Sequence, residues 1–242
     1  MWEKSSIFNI YSYYDVIQII VNFILAVKNQ FLDNYIYDFS FIRGLEILML
    51  IMGFVYIHLM IKENHYAWLI AAFNCLVLIY IWGSKGIFGQ TFLYAFYVCN
   101  SLYAFFKWRK KDKDNNSIVK IKHLKLYISA IQVICLLLLT YVIVQIINYL
   151  KINYGLASNN TPLEVFIVIC SIYGLLLQIN KNVESWIYVV IVDFLVFLLY
   201  LRISLYILAL IRGYITIMSL YGFIKWIVKY RKANLLNKSK ID

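Results

Sequence analysis

The chain has 242 residues, of which 63% are hydrophobic and only 14% are charged. A soluble domain carries about 25% charged residues, so this composition excludes a soluble globular protein and indicates one that lies in lipid. The net charge of +11 comes largely from Lys and Arg at the ends of apolar segments. Lys and Arg at the ends of apolar segments set the membrane topology, so the positive net charge does not indicate nucleic acid binding.

The first 40 residues are the least regular part of the chain. The apolar run Val16–Val27 is too short for a membrane span, with Asp15 directly before it and Asn22 within it. No cleavable signal peptide is predicted. We expect residues 1–40 to form an amphipathic segment at the membrane interface, with an eighth spanning helix as the alternative.

Seven apolar stretches of about 20 residues follow, which is the length needed to cross a bilayer. The predicted spans are Phe41–Ile61, His65–Trp82, Ile87–Phe106, Leu124–Leu150, Thr161–Ile179, Ser185–Ile203 and Leu205–Val228. The predicted fold class is therefore an all-α integral membrane protein with seven transmembrane helices.

An internal repeat groups these spans. The segment SLYAFFKW at 101–108 recurs 118 residues later as SLYGFIKW at 219–226, and the same offset pairs Trp68 with Trp186. We predict a three-helix repeat at 41–108 and a second at 161–228, joined by a basic loop and linker helix at 109–160. Because one span lies between them, the repeats have the same orientation, in a 3+1+3 arrangement.

Two basic clusters indicate the topology. The loop at 108–123 and the tail at 229–242 are rich in Lys and Arg, which favours the cytoplasmic side. Four predicted spans separate them, so both clusters fall on one side. We therefore predict a cytoplasmic carboxyl terminus.

Charged side chains inside the spans are functional candidates by default, because they are costly in lipid. Asp193 lies near mid-span, where it either contacts a substrate or pairs with Arg212. Arg212 has Asp193, Glu46 and Glu164 as candidate partners, and the sequence does not decide among them.

Trp186 lies seven residues before Asp193, so the two share one helix face. An indole face there could stack on a flat or cationic ring, whereas an interfacial anchor is the competing interpretation. Asn74 either lines a polar path or forms an interhelical hydrogen bond.

The segment KNVESWIYVVIVDFLVFLLY at 181–200 resembles the PnuC family of bacterial vitamin transporters. Glu184, Trp186 and Asp193 match the family pattern, but Val189 stands where many members have a second Trp. The resemblance covers about residues 40–228. In the first half it rests on Glu46, Gly53, Trp68, Asn74, Leu93, Tyr103 and Trp108.

This resemblance implies a homotrimer in the bacterial inner membrane with a fold similar to SWEET sugar transporters. It implies facilitated diffusion of a vitamin precursor that an intracellular kinase then phosphorylates. Nicotinamide riboside is the first candidate substrate, and thiamine, riboflavin and deoxynucleosides are alternatives. The substrate contacts it implies are Trp68, Asn74, Tyr94, Trp186, Asp193 and Arg212.

Two departures from the family concern equivalent positions of the repeat. Many members have Gln at the position of Tyr94 and Tyr at the position of Arg212. These differences indicate altered contacts with the ligand.

Other functional classes have little support in the sequence. It contains no HExxH, GxSxG, CxxC or GxxxxGK[ST] motif, and its four cysteines lie in apolar runs. We therefore favour a transporter over a membrane-embedded enzyme or an accessory protein, and we predict neither a cofactor nor a metal.

Overall fold

The computed structural model describes residues 41–84, 88–110, 119–154, 162–202 and 206–238, with four single helical positions between 18 and 25. The interfacial segment predicted at 1–40, and the alternative of an eighth span, lie outside these described ranges.

Seven helices make up the described ranges. They are α1 (Phe41–Ile61), α2 (Tyr66–Ser84), α3 (Phe88–Arg109), α4 (Leu126–Tyr154), α5 (Pro162–Ile179), α6 (Ser185–Arg202) and α7 (Tyr206–Lys238). Each corresponds to one predicted span. The largest difference is at the end of α7, which continues as helix through most of the predicted basic tail.

The helices have the length and the surface of membrane spans. Among the described residues, four segments are long and apolar enough to cross a bilayer: Tyr127–Asn153, Pro162–Ile179, Ser185–Arg202 and Leu208–Leu235. Ile131, Leu138 and Val142 of α4 point outward with about half or more of their surface exposed. Such a surface is stable against lipid tails and not against water, so the chain is a multi-pass membrane protein.

The helices pack as two sets of three. Helices α1, α2 and α3 contact one another in sequence, as do α5, α6 and α7. Contacts between the sets join α1 to α7 and α3 to α5, and α4 packs against α5. If the two sets are exchanged, so that α1 takes the place of α5 and α7 that of α3, the α1–α7 contact becomes the α5–α3 contact.

The turns that follow α1 and α5 have the same backbone geometry. Glu63 and Lys181, 118 residues apart, both adopt positive φ, of 56° and 55°. In each turn an asparagine N–H bonds a carbonyl five residues back, from Asn64 to Leu59 at 2.9 Å and from Asn182 to Leu177 at 3.0 Å. Both helices thus end in a Schellman motif with a non-glycine residue in the left-handed region.

Candidate binding cavity

A cavity of about 470 Å³ lies between the two sets of three helices. Small-molecule sites typically occupy roughly 300–1,000 Å³. Among the described residues that line it, none belongs to α4. Its wall is mostly apolar, and its polar lining residues are Tyr56, Asn74, Tyr94, Gln178, Asp193, Tyr200 and Arg212.

The charged group of the cavity is an ion pair between neighbouring helices. Arg212 Nη1, in the second turn of α7, donates a hydrogen bond of 2.7 Å to Asp193 Oδ1, in the middle of α6. The Asp193 side chain is 7% exposed, whereas 39% of the Arg212 side chain is exposed. Both side chains line the cavity, and because they are paired they add no net charge to it.

Uncharged polar groups on other helices also line the wall. The Tyr56 hydroxyl donates to Gln178 Oε1 at 3.4 Å and thereby joins α1 to α5. The Asn74 amide oxygen on α2 is buried and has no hydrogen-bond partner among the described residues. A buried polar atom normally has such a partner, so a ligand or water bound here would satisfy Asn74.

Four tryptophans lie together at the end of the bundle formed by the α1–α2 and α5–α6 turns. We call Trp68, Trp108, Trp186 and Trp226 the tryptophan floor. Trp68 meets Trp108 edge-on at 5.3 Å, Trp186 meets Trp226 edge-on at 5.4 Å, and 6.3 Å separates the rings of Trp108 and Trp226. All four are buried.

The floor joins the two sets of helices by equivalent hydrogen bonds. The Trp108 indole N–H on α3 donates to the Ile179 carbonyl at the end of α5, at 2.9 Å. The Trp226 indole N–H on α7 donates to the Ile61 carbonyl at the end of α1, at 3.3 Å. The two donors are 118 residues apart, and so are the two acceptors. Each bond is therefore the repeat equivalent of the other.

The structure does not bring Trp68 and Trp186 into the cavity. Seven helical residues span about 10 Å, so Trp186 lies two turns from Asp193 along the face that they share. Its ring packs against Trp226 and Gly222, where an added Cβ would come within 2.8 Å of the indole. Trp186 is fully buried in this structure, and its role as a substrate contact stays a prediction.

An ion-pair cluster lies beside the floor and joins the two equivalent turns. Lys181 Nζ binds Glu63 Oε2 at 3.1 Å, and Lys229 of α7 also pairs with Glu63. Lys181 lies over the Trp108 ring at 4.6 Å. Burial lowers the pKa of Lys181, and the Glu63 carboxylate opposes this effect. The cluster connects the two sets of helices on the side that carries the basic loop and tail.

Glu184 performs a structural task that the sequence analysis did not anticipate. It accepts a hydrogen bond of 2.8 Å from the Leu124 N–H and pairs with His123. The Val183 N–H adds a bond of 2.9 Å to the Lys122 carbonyl. The chain that enters α4 is therefore held against the start of α6.

The predicted site residues thus divide by location. Asn74, Tyr94, Asp193 and Arg212 line one cavity, and the partner of Arg212 is Asp193. Trp68 and Trp186 belong to the floor. Three further polar lining residues were not predicted from the sequence: Tyr56, Gln178 and Tyr200.

Comparison with known proteins identifies the family. Residues 43–228 match the nicotinamide mononucleotide transporter family. The chain belongs to this family. The resemblance to PnuC transporters is therefore confirmed, and membership of a transporter family agrees with the expectation that the chain is not an enzyme.

A solved structure shares the fold. The crystal structure of the vitamin B3 transporter PnuC is 19% identical in sequence, covers 88% of this chain and 91% of its own, and superposes with a TM-score of 0.61. No curated protein matches the chain.

Proposed function

We propose that this protein carries a vitamin precursor across the membrane by facilitated diffusion, after which an intracellular kinase traps the substrate by phosphorylation. Nicotinamide riboside is the first candidate, and thiamine, riboflavin and deoxynucleosides are the alternatives. The observation that carries the proposal is the cavity. It has the size of a small-molecule site, lies between two helical sets of a transporter-family chain, and contains polar groups in an apolar wall.

In this proposal the two sets are parallel repeats in a 3+1+3 arrangement, similar to SWEET transporters. The matched turns after α1 and α5 and the paired indole hydrogen bonds support it. The position of α4, packed on α5 and outside the cavity, fits a linker helix. The domains are then residues 41–108 and 161–228, with 109–160 as linker and 229–242 as tail.

The proposed substrate contacts are Asp193, Arg212, Asn74 and Tyr94, since all four line the cavity. Trp68 and Trp186 act on transport through the floor. Release of the substrate at the end of the bundle that carries the floor requires the two sets of helices to separate, because the floor and the Glu63–Lys181 pair join them there.

The basic loop and tail favour the cytoplasm for the end that carries the floor, in a bacterial inner membrane. We further propose the homotrimer that the family resemblance implies. Chemical crosslinking in native membranes tests this assembly, and a mass of one chain after complete reaction would contradict it.

Reconstitution tests the function directly. Purified protein in liposomes should equilibrate labelled nicotinamide riboside, or one of the alternative compounds, down its gradient and independently of uncouplers. Protein-free liposomes provide the background. Chemical change of the compound would indicate an enzyme. Accumulation of unmodified compound that a protonophore abolishes would contradict facilitated diffusion.

A further inference from the structure

We infer that the cavity selects ligands without net charge and that Arg212 excludes cationic ones. This inference rests on the proposed function and re-orders its candidates. Nicotinamide riboside and thiamine carry a cationic ring, whereas riboflavin and deoxynucleosides are uncharged. The cavity therefore favours the uncharged group.

The first support is the charge of the wall. Among the described lining residues, Asp193 and Arg212 are the charged ones, and they are paired at 2.7 Å. The remaining polar side chains of the lining are amides and phenols, which are neutral near pH 7. A ligand cation would be attracted by Asp193 and repelled by Arg212 at similar distances. The two effects largely cancel, so the desolvation of a cationic ligand stays uncompensated.

The second support is the difference in exposure between the two charges. Both residues line the cavity, and 39% of the Arg212 side chain is exposed, compared with 7% of the Asp193 side chain. A ligand in the cavity can therefore approach the positive partner of the pair more readily than the negative one. The imbalance that remains after the two effects largely cancel is then a net repulsion of cations.

The third support is the hydrogen-bonding capacity that remains. A guanidinium carries five N–H donors, and within the described part of the chain Arg212 uses one of its terminal nitrogens on Asp193. The other donors suit carbonyl and hydroxyl oxygens of a ligand. The buried Asn74 oxygen requires a donor in return. An uncharged molecule that offers both carbonyl or hydroxyl acceptors and N–H or O–H donors, such as a nucleoside, meets both requirements.

A matched pair of compounds tests charge alone. Nicotinamide riboside and its 1,4-dihydro form share one skeleton, and the addition of hydride removes the positive charge. Both are titrated calorimetrically against the full-length protein in nanodiscs, together with deoxyuridine, riboflavin and thiamine. The wild-type protein should bind the dihydro form at least ten-fold more tightly than the cation, which corresponds to about 1.4 kcal/mol.

Variants assign the selectivity to Arg212. Arg212→Gln leaves Asp193 as an unpaired carboxylate and should reverse the preference toward the cation. The double variant Asp193→Asn/Arg212→Gln removes both charges and should cancel this reversal. Arg212→Lys keeps the positive charge and should keep the wild-type preference. It still tests the role of the charge if Arg212→Gln does not fold. Arg202→Gln removes an exposed arginine at the end of α6 and should change nothing.

Each outcome bears on a different proposal. Tighter binding of the cation by the wild-type protein, or equal shifts in Arg212→Gln and Arg202→Gln, would overturn the charge selection and leave the transport function intact. If the protein binds riboflavin or deoxyuridine but binds neither nicotinamide compound and not thiamine, the result would support the charge selection. Failure of all five compounds to bind would remove both the proposed function and this inference.

Discussion

The tryptophan floor and the cavity lie between the same two sets of helices, but they use the internal repeat in different ways. In the floor, Trp68 and Trp186 are equivalent, and so are Trp108 and Trp226. In the cavity, equivalent positions carry different residues. Asp193 corresponds to Cys75, Arg212 to Tyr94, and Asn74 to Val192.

The difference has a physical reason. The floor is where the two sets pack on each other, and equivalent residues make equivalent contacts there. A single small ligand has no two-fold symmetry, so the cavity that binds it requires different groups on its two sides. The repeat is therefore retained in the tryptophan floor and lost at the polar positions of the binding wall.

The largest expected effect is in the floor. Trp186→Ala removes a fully buried indole and should lower the free energy of unfolding by about 3–5 kcal/mol. Phe92→Ala, at a position that is 81% exposed on α3, is the control and should change stability little. Thermal unfolding in detergent measures both. An unchanged melting temperature in Trp186→Ala, with a five-fold or larger loss of ligand affinity, would instead restore substrate stacking.

The second prediction tests how tightly the floor is packed. An added Cβ at Gly222 would lie 2.8 Å from Trp186, whereas at Gly213 it would meet Phe197 at an ordinary 3.5 Å. Gly222→Ala should therefore destabilise the protein by about 1–3 kcal/mol. Gly213→Ala, on the same helix, should not destabilise it and is the matched control. Equal melting temperatures for the two variants would contradict this packing.

The third prediction moves to the cavity. Breaking a buried ion pair from one side costs about 3–5 kcal/mol, and exposure of Arg212 to the cavity reduces this to roughly 1–2 kcal/mol for Asp193→Asn. Adding Arg212→Gln removes the unpaired charge and should recover most of the loss. A double variant less stable than Asp193→Asn would show that the two side chains do not act as a pair. Thermal unfolding of the three proteins decides this.

The fourth prediction concerns the ion pair between equivalent turns. Glu63→Lys places three positive side chains together and should destabilise by about 1 kcal/mol. Lys181→Glu in the same chain should restore much of this, because both positions have the same backbone conformation. Lys229→Gln, which removes an exposed partner of Glu63, should have the smallest effect. Additive effects of the two turn substitutions would contradict a direct pair.

Much of the fold could be predicted from hydrophobic length and from the repeat. Apolar runs of about 20 residues located all seven described helices, because only helices satisfy their own backbone in lipid. The offset of 118 also makes Glu63 and Lys181 equivalent positions with opposite charges, and the structure pairs them.

The candidate site could be predicted only in part. Helical periodicity predicts that Trp186 and Asp193 share one face, but periodicity gives the direction of a side chain and not what lies opposite it. The ring of Trp226, 40 residues away in the chain, meets the Trp186 ring edge-on at 5.4 Å. Tyr56 and Tyr200 were missed because aromatic residues are common throughout these helices.

The smallest effect is expected from a substitution that makes the two sides of the cavity more alike. Asn74→Val introduces the residue of the equivalent position, Val192, and removes a buried oxygen that has no partner within the described ranges. Stability should stay the same or rise slightly, because an unsatisfied buried group is destabilising. Ligand affinity should fall by about two- to ten-fold, the effect of losing one hydrogen bond of about 0.5–1.5 kcal/mol. Val192→Ala, outside the cavity lining, is the control for a change of side-chain volume and should leave affinity unchanged. Calorimetric titration combined with thermal unfolding separates the two quantities. A fall in stability with unchanged affinity would make Asn74 an interhelical hydrogen-bonding residue and would leave the cavity without its acceptor on α2.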